Sequence, residues 1–354
     1  MKPSLKLLFV LALFMGLWFQ GTRPLMGRDE HRYPQIAHEM LIRREFIVPY
    51  WQGHPHLTKP PLFYWFLAAG EALFGNHPWG IRVPNAVSYA VTSWAVGACG
   101  KILFGEAGEI AGLLYACTLT PFVAANIVTP DTLLIMWEVL AAWAFFRRSI
   151  LVWIFWALAF MTKGTAVLPV MTPFVYYGWI SRRNWRGLLF GIILFSTVAF
   201  PWYLYIQFKF PWFWKLFLRE QVTGRLFFNY YHRNSAWYAP LYLYLPLLTL
   251  GALPGFYFLV KDRDVLPEMW KHSRRFRLVA GWYLLPLAVF WLARSRLPLY
   301  ILPLFAPFVL VVTALRMRKR PFPGKPFWVS WILGLLLLKA GLSWWLKIHG
   351  IFPQ

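Results

Sequence analysis

Charged residues are scarce in this sequence of 354 residues, and acidic residues are the scarcest. Only 14% of the chain is charged, and 13 residues are Asp or Glu. A soluble globular domain carries about 25% charged residues. Instead, 59% of the chain is hydrophobic and 20% is aromatic, which is too apolar for a surface that faces water. The composition therefore excludes a soluble enzyme and a disordered chain, and it indicates a polytopic membrane protein.

Cysteine is also rare, since Cys99 and Cys117 are the only two and both lie in apolar runs. This excludes a disulfide framework and a cysteine-based metal site. The net charge of +23 comes from short basic clusters between apolar runs, as in membrane proteins, so we expect no nucleic-acid partner. Such a surplus suits anionic lipid headgroups and phosphates. The N-terminal segment lacks a small-x-small cleavage site, and we interpret it as an uncleaved first span.

Apolar runs of about 20 residues predict transmembrane helices. Eleven stretches have this length or are slightly shorter. The predicted spans are 5–22, 82–103, 107–127, 131–147, 150–162, 164–180, 187–206, 239–260, 277–293, 297–315 and 327–346. The stretch 62–74 is too short to cross and carries Glu71. We expect it to lie along the membrane with its aromatic residues at headgroup level.

The distribution of basic residues supports this topology. If the N-terminus is cytoplasmic and 62–74 does not cross, all the later basic clusters fall on the cytoplasmic side, as the positive-inside rule requires. These clusters are 147–148, 182–186, 261–277 and 316–325. The C-terminus is then outside. We predict a single transmembrane domain over 1–354, with a catalytic loop at 23–81 and a second loop at 207–238 outside, and no soluble C-terminal domain.

The first outside loop opens with a group of polar residues that suits phosphate chemistry. Asp29 is either the N-cap of an interfacial helix or a general base, while Arg32 and Tyr33 are suited to holding a phosphate. Further along, Lys59 precedes two prolines that stiffen the backbone and set its direction, so we interpret it as a phosphate-binding charge. His54 and His56 lie on one side of an extended chain but lack a third metal ligand in view.

Other ionisable residues lie at the ends of later spans. Asp131 begins a span, so it is either an N-terminal cap or a second carboxylate able to meet Asp29. Glu138 lies within that span, where it is either functional or paired with a neighbouring helix. Lys163 lies at the outer end of a short span, and Arg296 lies on an outside turn together with Tyr300. Such cations are typical of membrane anchors, but grouped on one face they suit an anionic lipid phosphate.

These motifs resemble the GT-C integral-membrane glycosyltransferases that use lipid-linked sugars. The most similar branches are the aminoarabinose lipid A transferases and the bacterial relatives of the dolichyl-phosphate-mannose protein mannosyltransferases. Four elements spread over residues 1–310 carry the resemblance. They are Asp29-Glu30-x-Arg32-Tyr33, Gly53-His54-Pro55-x-x-x-Lys59-Pro60-Pro61-Leu62, Thr162-Lys163-Gly164 and Ser295-Arg296-x-Pro298-x-Tyr300.

The resemblance implies an all-α membrane fold with about eleven transmembrane helices and an inverting glycosyltransferase activity. It makes Asp29 the principal catalytic carboxylate and Asp131 the second. The implied ligands of the donor phosphate are Arg32, Tyr33, Lys59, Arg296 and Tyr300, and the secondary candidates are Glu30, Lys163 and Glu220. The donor would be a polyprenyl-phosphate sugar, and the acceptor a lipid, glycan or protein. The active site would face the periplasm or the exterior of a bacterial inner or plasma membrane.

Two positions depart from the family pattern. Thr58 stands where several relatives carry an acid, and Glu220-Gln221 stands where a Glu-His pair is expected. We therefore expect that no metal or other cofactor is required, because cations of the chain can stabilise the leaving phosphate. The alternative to an enzyme is a flippase or transporter of lipid-linked sugars, which would carry charges at span centres and broken helices in matched halves. The ionisable residues instead gather at the outer loops.

Overall fold

Helices form nearly all of the regular structure in this computed structural model, which describes residues 4–224 and 233–349. The α-helices are α1 (Leu5–Leu17), α2 (Gly27–Arg43), α3 (Leu62–Phe74), α4 (Pro78–Phe104), α5 (Ile110–Ala116), α6 (Leu119–Ala124), α7 (Pro130–Phe146), α8 (Leu151–Lys163), α9 (Leu168–Val175), α10 (Trp185–Lys209), α11 (Phe213–Leu216), α12 (Ala239–Leu243), α13 (Leu245–Thr249), α14 (Gly255–Asp262), α15 (Leu266–His272), α16 (Arg274–Leu292), α17 (Phe305–Lys319) and α18 (Lys325–His349).

Shorter elements connect these helices. The 3₁₀ segments are Glu106–Glu109, Gly164–Val167, Leu250–Ala252, Arg263–Val265 and Pro298–Leu304, and the π-helical segments are Tyr176–Ile180 and Phe217–Thr223. Two short antiparallel strands, β1 (Tyr50–Trp51) and β2 (His54–Pro55), pair with Tyr50 opposite Pro55. The predicted all-α class is therefore confirmed.

Six helical stretches within the described residues are long and apolar enough to cross a membrane. They are Pro78–Phe104, Leu151–Ile180, Trp185–Lys209, Arg274–Leu292, Pro298–Lys319 and Lys325–Ile348. Leu5–Leu17 and Leu62–Phe74 are apolar but shorter. An integral membrane protein is confirmed by these helices, whereas the predicted number of eleven spans stays a prediction.

The stretch Leu151–Ile180 is a hairpin of two arms. The rings of Trp153 and Trp179 lie 4.8 Å apart, although one straight helix would hold them about 39 Å apart. The chain reverses after α8 at Gly164, whose φ of +65° is a backbone conformation that favours glycine. The two arms correspond to the predicted spans 150–162 and 164–180, and Lys163 lies where the arms join.

Two of the predicted spans are interrupted in the structure. The span expected at 107–127 breaks at Thr118, whose extended backbone separates α5 from α6. The span expected at 239–260 is divided into α12, α13 and α14. A proline is the second residue of α12 and of α13, and another lies just before α14. Proline cannot donate the backbone hydrogen bond that a continuous helix needs. Continuous helices over these two ranges were therefore a wrong expectation.

The first outside loop contains two helices that pack together. In α2 the buried residues Tyr33, Ile36, Ala37 and Met40 recur at helical spacing, which gives this helix one apolar face. The helix α3 has the predicted bounds, Leu62–Phe74. The rings of Tyr33 and Phe63 meet edge to face with centroids 5.6 Å apart. That α3 lies along the membrane without crossing it stays a prediction.

A buried ion cluster fixes the start of α2. Glu30 accepts hydrogen bonds of 2.6 and 2.8 Å from Arg23, and it lies 3.5 Å from Arg82 on α4. It also accepts a 2.8 Å hydrogen bond from the amide of Val128, just before α7. Burial alone would raise the pKa of Glu30, but Arg23 and then Arg82 hold this pKa below its ordinary value. One carboxylate thus ties together three parts of the chain.

Candidate active site

A cavity of about 850 Å³ lies among α2, α6, α7, the end of α8 and the segment that starts at Pro298. Most of its wall is apolar, with leucine, valine, isoleucine and proline side chains. Its polar wall is formed by Asp29, Arg32, Tyr33, Thr58, Lys59, Thr120, Thr129, Asp131, Lys163, Arg233 and Tyr300. The cavity therefore combines an apolar volume with two carboxylates and several cations, and it brings together Asp29 and Asp131 as the predicted topology requires.

Asp29 is the third residue of α2, so the interpretation of Asp29 as the N-cap is wrong. The N-cap is Met26, and its amide donates a 2.8 Å hydrogen bond to Glu30. Asp29 instead accepts a 2.6 Å hydrogen bond from Arg32. Its side chain remains 31% exposed, which leaves room for a ligand beside the carboxylate.

Arg32 joins Asp29 to the buried Tyr33. The guanidinium carbon lies 5.0 Å from the centre of the Tyr33 ring. Burial lowers the pKa of Arg32, but Tyr33 and Asp29 outweigh this effect and leave the pKa above its ordinary value. Burial and the nearby Asp29 raise the pKa of Tyr33. At neutral pH Arg32 is therefore a cation and Tyr33 a neutral phenol, and both are able to donate to a phosphate.

Asp131 and Lys163 form the second polar group of the cavity. Asp131 follows Pro130 at the start of α7, and Thr129 is the N-cap, so the capping interpretation of Asp131 is also wrong. Its carboxylate pairs with the ammonium group of Lys163 at the end of α8. The same ammonium group lies 4.4 Å from the centre of the Tyr300 ring. Three residues distant in sequence thus meet at one point, and that this point lies on the outer face stays a prediction.

Lys59 lies on the cavity wall and is 7% exposed. Nearby, His56 and Thr58 share a 2.7 Å hydrogen bond. Burial, followed by the charges of Arg32, Lys59 and Arg28, lowers the pKa of His56 to about 4. His56 is therefore neutral at neutral pH, and its low pKa reflects burial first and the nearby positive charges second. Within residues 4–224 and 233–349, no three His, Cys, Asp or Glu side chains are grouped as metal ligands. Whether a metal is required stays a prediction.

The structure does not bring every candidate to the cavity. Arg296 is 4% exposed and donates its side-chain hydrogen bonds to the carbonyl oxygens of Trp291, Asn234 and Ala236. It therefore holds the segment after residue 232 against the turn that precedes Tyr300, and does not line the cavity. Glu30 does not line it either, because it belongs to the buried ion cluster.

Three further residues complete the comparison with the sequence. Glu138 is buried in α7, away from the cavity lining, and in the described part of the chain neither of its carboxylate oxygens has a hydrogen-bond partner. The side chain of Glu220 lies outside the residues that the structure describes. Arg233 lines the cavity but was not identified from the sequence. Its position in the predicted outside loop 207–238 was the one available signal.

A second cavity of about 400 Å³ adjoins the first. Both cavities are lined by Thr58, Lys163 and Tyr300, so the two meet at the ammonium group that also pairs with Asp131. Apart from these residues, the wall of the second cavity is mainly apolar, with Leu134, Phe217 and side chains of α9 and α16. Two apolar volumes thus share one polar junction.

Comparison with known proteins finds similar sequences along most of this chain. Residues 58–205 match the family described as dolichyl-phosphate-mannose-protein mannosyltransferase. The chain is 30% identical over 340 residues to undecaprenyl phosphate-alpha-4-amino-4-deoxy-L-arabinose arabinosyl transferase 1 of Pseudomonas fluorescens strain Pf0-1, covering 88% of this chain and 56% of that protein. It is also 30% identical over 322 residues to the transferase of Pseudomonas aeruginosa strain UCBPP-PA14, covering 84% of this chain and 55% of the relative.

Solved structures show the same fold. Crystalline ArnT from Cupriavidus metallidurans bound to undecaprenyl phosphate superposes with a TM-score of 0.76 at 22% identity, covering 95% of this chain and 63% of ArnT. The Archaeoglobus fulgidus oligosaccharyltransferase in complex with zinc and sulfate gives a TM-score of 0.58 at 14% identity, covering 98% of this chain and 52% of that one. The chain spans little more than half the length of the first two relatives named above. In sequence the chain is thus similar to these arabinosyl transferases, and in fold it is similar to ArnT.

Proposed function

We propose that this protein transfers a sugar from a polyprenyl-phosphate donor to an acceptor on the non-cytoplasmic face of the membrane. The observation that carries the proposal is the larger cavity. It joins Asp29, Arg32, Lys59, Asp131 and Lys163 to an apolar volume of a size suited to an amphiphilic ligand. A lipid tail needs the apolar wall, and the phosphate that links it to a sugar needs the cations.

The cations suit the leaving group of such a reaction. The bond between the anomeric carbon and the phosphate oxygen breaks, and the bonding electrons remain on the phosphate. Negative charge therefore builds up on this group in the transition state. Arg32 and Lys59 lie on the cavity wall, where they would stabilise this charge in a medium of low dielectric constant.

Asp29 suits the acceptor. The acceptor oxygen forms the new bond to the anomeric carbon from the face opposite the phosphate, and its proton passes to a base. Asp29 is exposed enough to meet the acceptor and is held in place by Arg32. A base or an orienting carboxylate at this point contributes about 10²- to 10⁴-fold to the rate. The product is a glycosylated acceptor with inverted configuration, together with the free polyprenyl phosphate.

The pair of cavities suggests how two lipids meet. We assign the donor to the larger cavity, which contains Asp29, Arg32 and Lys59, and a lipid acceptor to the smaller one. Lys163 and Tyr300 line both, so the reacting oxygen of the acceptor would pass the ammonium group of Lys163 and enter the larger cavity, which Asp29 lines. The pairing of Lys163 with Asp131 and its position near the Tyr300 ring hold the ammonium group in place.

For the sugar we propose 4-amino-4-deoxyarabinose, a pentose, and for the acceptor we propose lipid A. The sugar is supported by the names of the similar Pseudomonas proteins, which are undecaprenyl phosphate-alpha-4-amino-4-deoxy-L-arabinose arabinosyl transferases. Lipid A follows from the resemblance of the motifs to aminoarabinose lipid A transferases. An outer active site is supported by the basic clusters, which the positive-inside rule assigns to the cytoplasm.

The test is a transfer assay with the full chain reconstituted in liposomes. Undecaprenyl phosphate-aminoarabinose and undecaprenyl phosphate-mannose are supplied in turn with lipid A, and mass spectrometry detects the products. We expect lipid A to gain the pentose. Transfer from the mannose donor alone would contradict the pentose assignment and retain the enzyme class. Movement of the donor across the bilayer without any product would contradict the enzyme and favour the transporter.

A further inference from the structure

A third cavity, of about 640 Å³, lies at the end of the α7–α8 pair opposite the Asp131–Lys163 contact. Its lining includes four exposed arginines, Arg148, Arg182, Arg274 and Arg275. The helix α7, with its 17 residues, spans about 25 Å between the two ends. This basic cavity is therefore distinct from the proposed donor and acceptor cavities.

No acidic side chain among the described residues pairs with any of the four arginines. Among the described residues that line the basic cavity there is no Asp or Glu, and none of the salt bridges of the described chain involves these four side chains. The basic segment 316–320 differs, because Arg316, Arg318 and Lys319 pair with Asp262, Glu268 and Asp264. A basic cluster that only marks the cytoplasmic side needs no cavity, so the concentration of uncompensated charge around one cavity points to an anionic ligand.

The floor of the basic cavity is aromatic and firmly packed. Trp153 is 2% exposed, and its ring lies 4.8 Å from that of Trp179. Gly191 lies so close to Trp153 that a Cβ at this position would be 1.9 Å from the ring, and only a glycine permits this approach. At the rim, Arg274 donates a 3.2 Å hydrogen bond to the hydroxyl of Ser181 and lies 5.9 Å from the centre of the Tyr177 ring.

We propose that the basic cavity binds the phosphate-bearing headgroup of an anionic membrane lipid. Guanidinium groups match phosphate oxygens in a forked geometry, and the cavity lies at the ends of apolar helices, at the level where lipid headgroups lie. An inorganic phosphate would use the arginines but leave Ile150 and Phe190 of the cavity lining exposed, as they are in the structure at 47% and 58%. A lipid uses both features, because its glycerol and first methylene groups cover these apolar side chains.

The experiment measures lipid binding to the full chain by native mass spectrometry after removal of bound lipids. Phosphatidylglycerol, phosphatidylethanolamine and inorganic phosphate are added separately. We expect one phosphatidylglycerol to bind in preference to the zwitterionic lipid. The triple variant Arg182→Gln, Arg274→Gln, Arg275→Gln should bind it about tenfold more weakly or worse.

The matched control removes the same charge from positions outside the cavity lining, with Arg183→Gln, Arg186→Gln and Arg263→Gln. It should bind phosphatidylglycerol as the parent does. An equal loss in both triple variants would overturn the proposal, since the effect would then depend only on net charge. Displacement of the lipid by inorganic phosphate at equal concentration would overturn it in favour of a free anion. If the triple variant unfolds, the single variants Arg275→Lys and Arg275→Gln replace it. Both should bind phosphatidylglycerol more weakly than the parent, because neither retains the guanidinium fork, and binding equal to that of the parent in both would overturn the proposal.

Discussion

The two carboxylates at the start of α2, Asp29 and Glu30, are adjacent in sequence but belong to different regions of the molecule. The side chain of Glu30 is 3% exposed and contacts two arginines and two backbone amides. The side chain of Asp29 is 31% exposed, contacts Arg32 and lines the larger cavity. Consecutive residues in a helix point about 100° apart, so one turn of helix serves both regions.

The difference between the two indicates how a buried acid positions the neighbouring carboxylate that we propose as catalytic. Every polar atom of the Glu30 carboxylate is used to hold α2 against α4 and the segment before α7. This fixes the rotation of the helix about its axis, and with it the direction of Asp29. A carboxylate with several buried partners contributes stability, whereas one with room beside it is available for chemistry. The predictions below test this division.

Asp29→Asn should have the largest effect, a fall in kcat of about 10²- to 10⁴-fold, because the amide retains the shape but is not a base. The liposome transfer assay measures this, and thermal unfolding should be nearly unchanged. Glu39→Gln is the matched control, since Glu39 also lies on α2 and pairs with an arginine, Arg43, at 3.3 Å. Turnover near that of the parent in Asp29→Asn would show that Asp29 is not the catalytic carboxylate.

Glu30→Gln should do the opposite and act mainly on stability. Removing one charge from a buried ion cluster leaves Arg23 and Arg82 uncompensated, at a cost of about 3–5 kcal/mol. We expect a clear fall in Tm in detergent and lower yield, together with residual transfer by the protein that remains folded. If Glu30→Gln unfolds like the parent but loses transfer, the roles assigned to these two carboxylates are interchanged.

The grouping of the main site residues was accessible from sequence. The pattern of spans and basic clusters predicted that Asp29, Lys59, Asp131 and Lys163 share one face, and all four line one cavity. The helix at 62–74 was predicted with its correct bounds. These features depend on local composition and on membrane topology, and both can be read along the chain.

The partners of single polar residues were not accessible. In the sequence, Glu30 and Arg296 were candidate site residues in the same way as Asp29 and Lys59. In the structure each is held by a group that is distant in sequence. Glu30 contacts Arg82, and Arg296 donates a hydrogen bond to the carbonyl oxygen of Asn234. The positions of the helix breaks could not be predicted from the sequence either. Pro201 lies inside the continuous helix α10, while the prolines of 239–260 divide that stretch, because neighbouring helices decide whether the freed backbone groups are satisfied.

Lys59→Ala should have a smaller effect than either carboxylate change and should act on the donor. A charge-assisted contact to a phosphate contributes about 1.5–3 kcal/mol, which corresponds to a loss of about ten- to a hundredfold in kcat/KM for the donor. Lys101→Ala is the control, since Lys101 pairs with Glu106 and Glu109 near the end of α4, away from the cavity lining. A change confined to the KM of the acceptor would contradict the assignment of Lys59.

The smallest expected effect concerns His56. Its contribution to stability and that of the Glu30 cluster are lost over different pH ranges. The pKa of His56 is lowered to about 4, mainly by burial and then by Arg32, Lys59 and Arg28. The unfolded chain takes up this proton near pH 6.5 and the folded chain only near pH 4, so the contribution of His56 to stability is complete above pH 6.5 and is lost as the pH falls towards 4. The pKa of Glu30 lies below its ordinary 4.5, so the stability of its cluster is lost only at lower pH.

Thermal unfolding between pH 7.5 and 4.5 therefore distinguishes the two regions. The parent should lose several degrees of Tm over this range, and His56→Gln should lose less because glutamine does not titrate there. The separation between the curves reports the lowered pKa of His56, to which burial contributes most and Arg32 and Lys59 contribute further. Parallel curves would mean that His56 titrates alike in both states. The cationic wall inferred around Arg32 and Lys59 would then lose this support, while the Glu30 cluster would be unaffected.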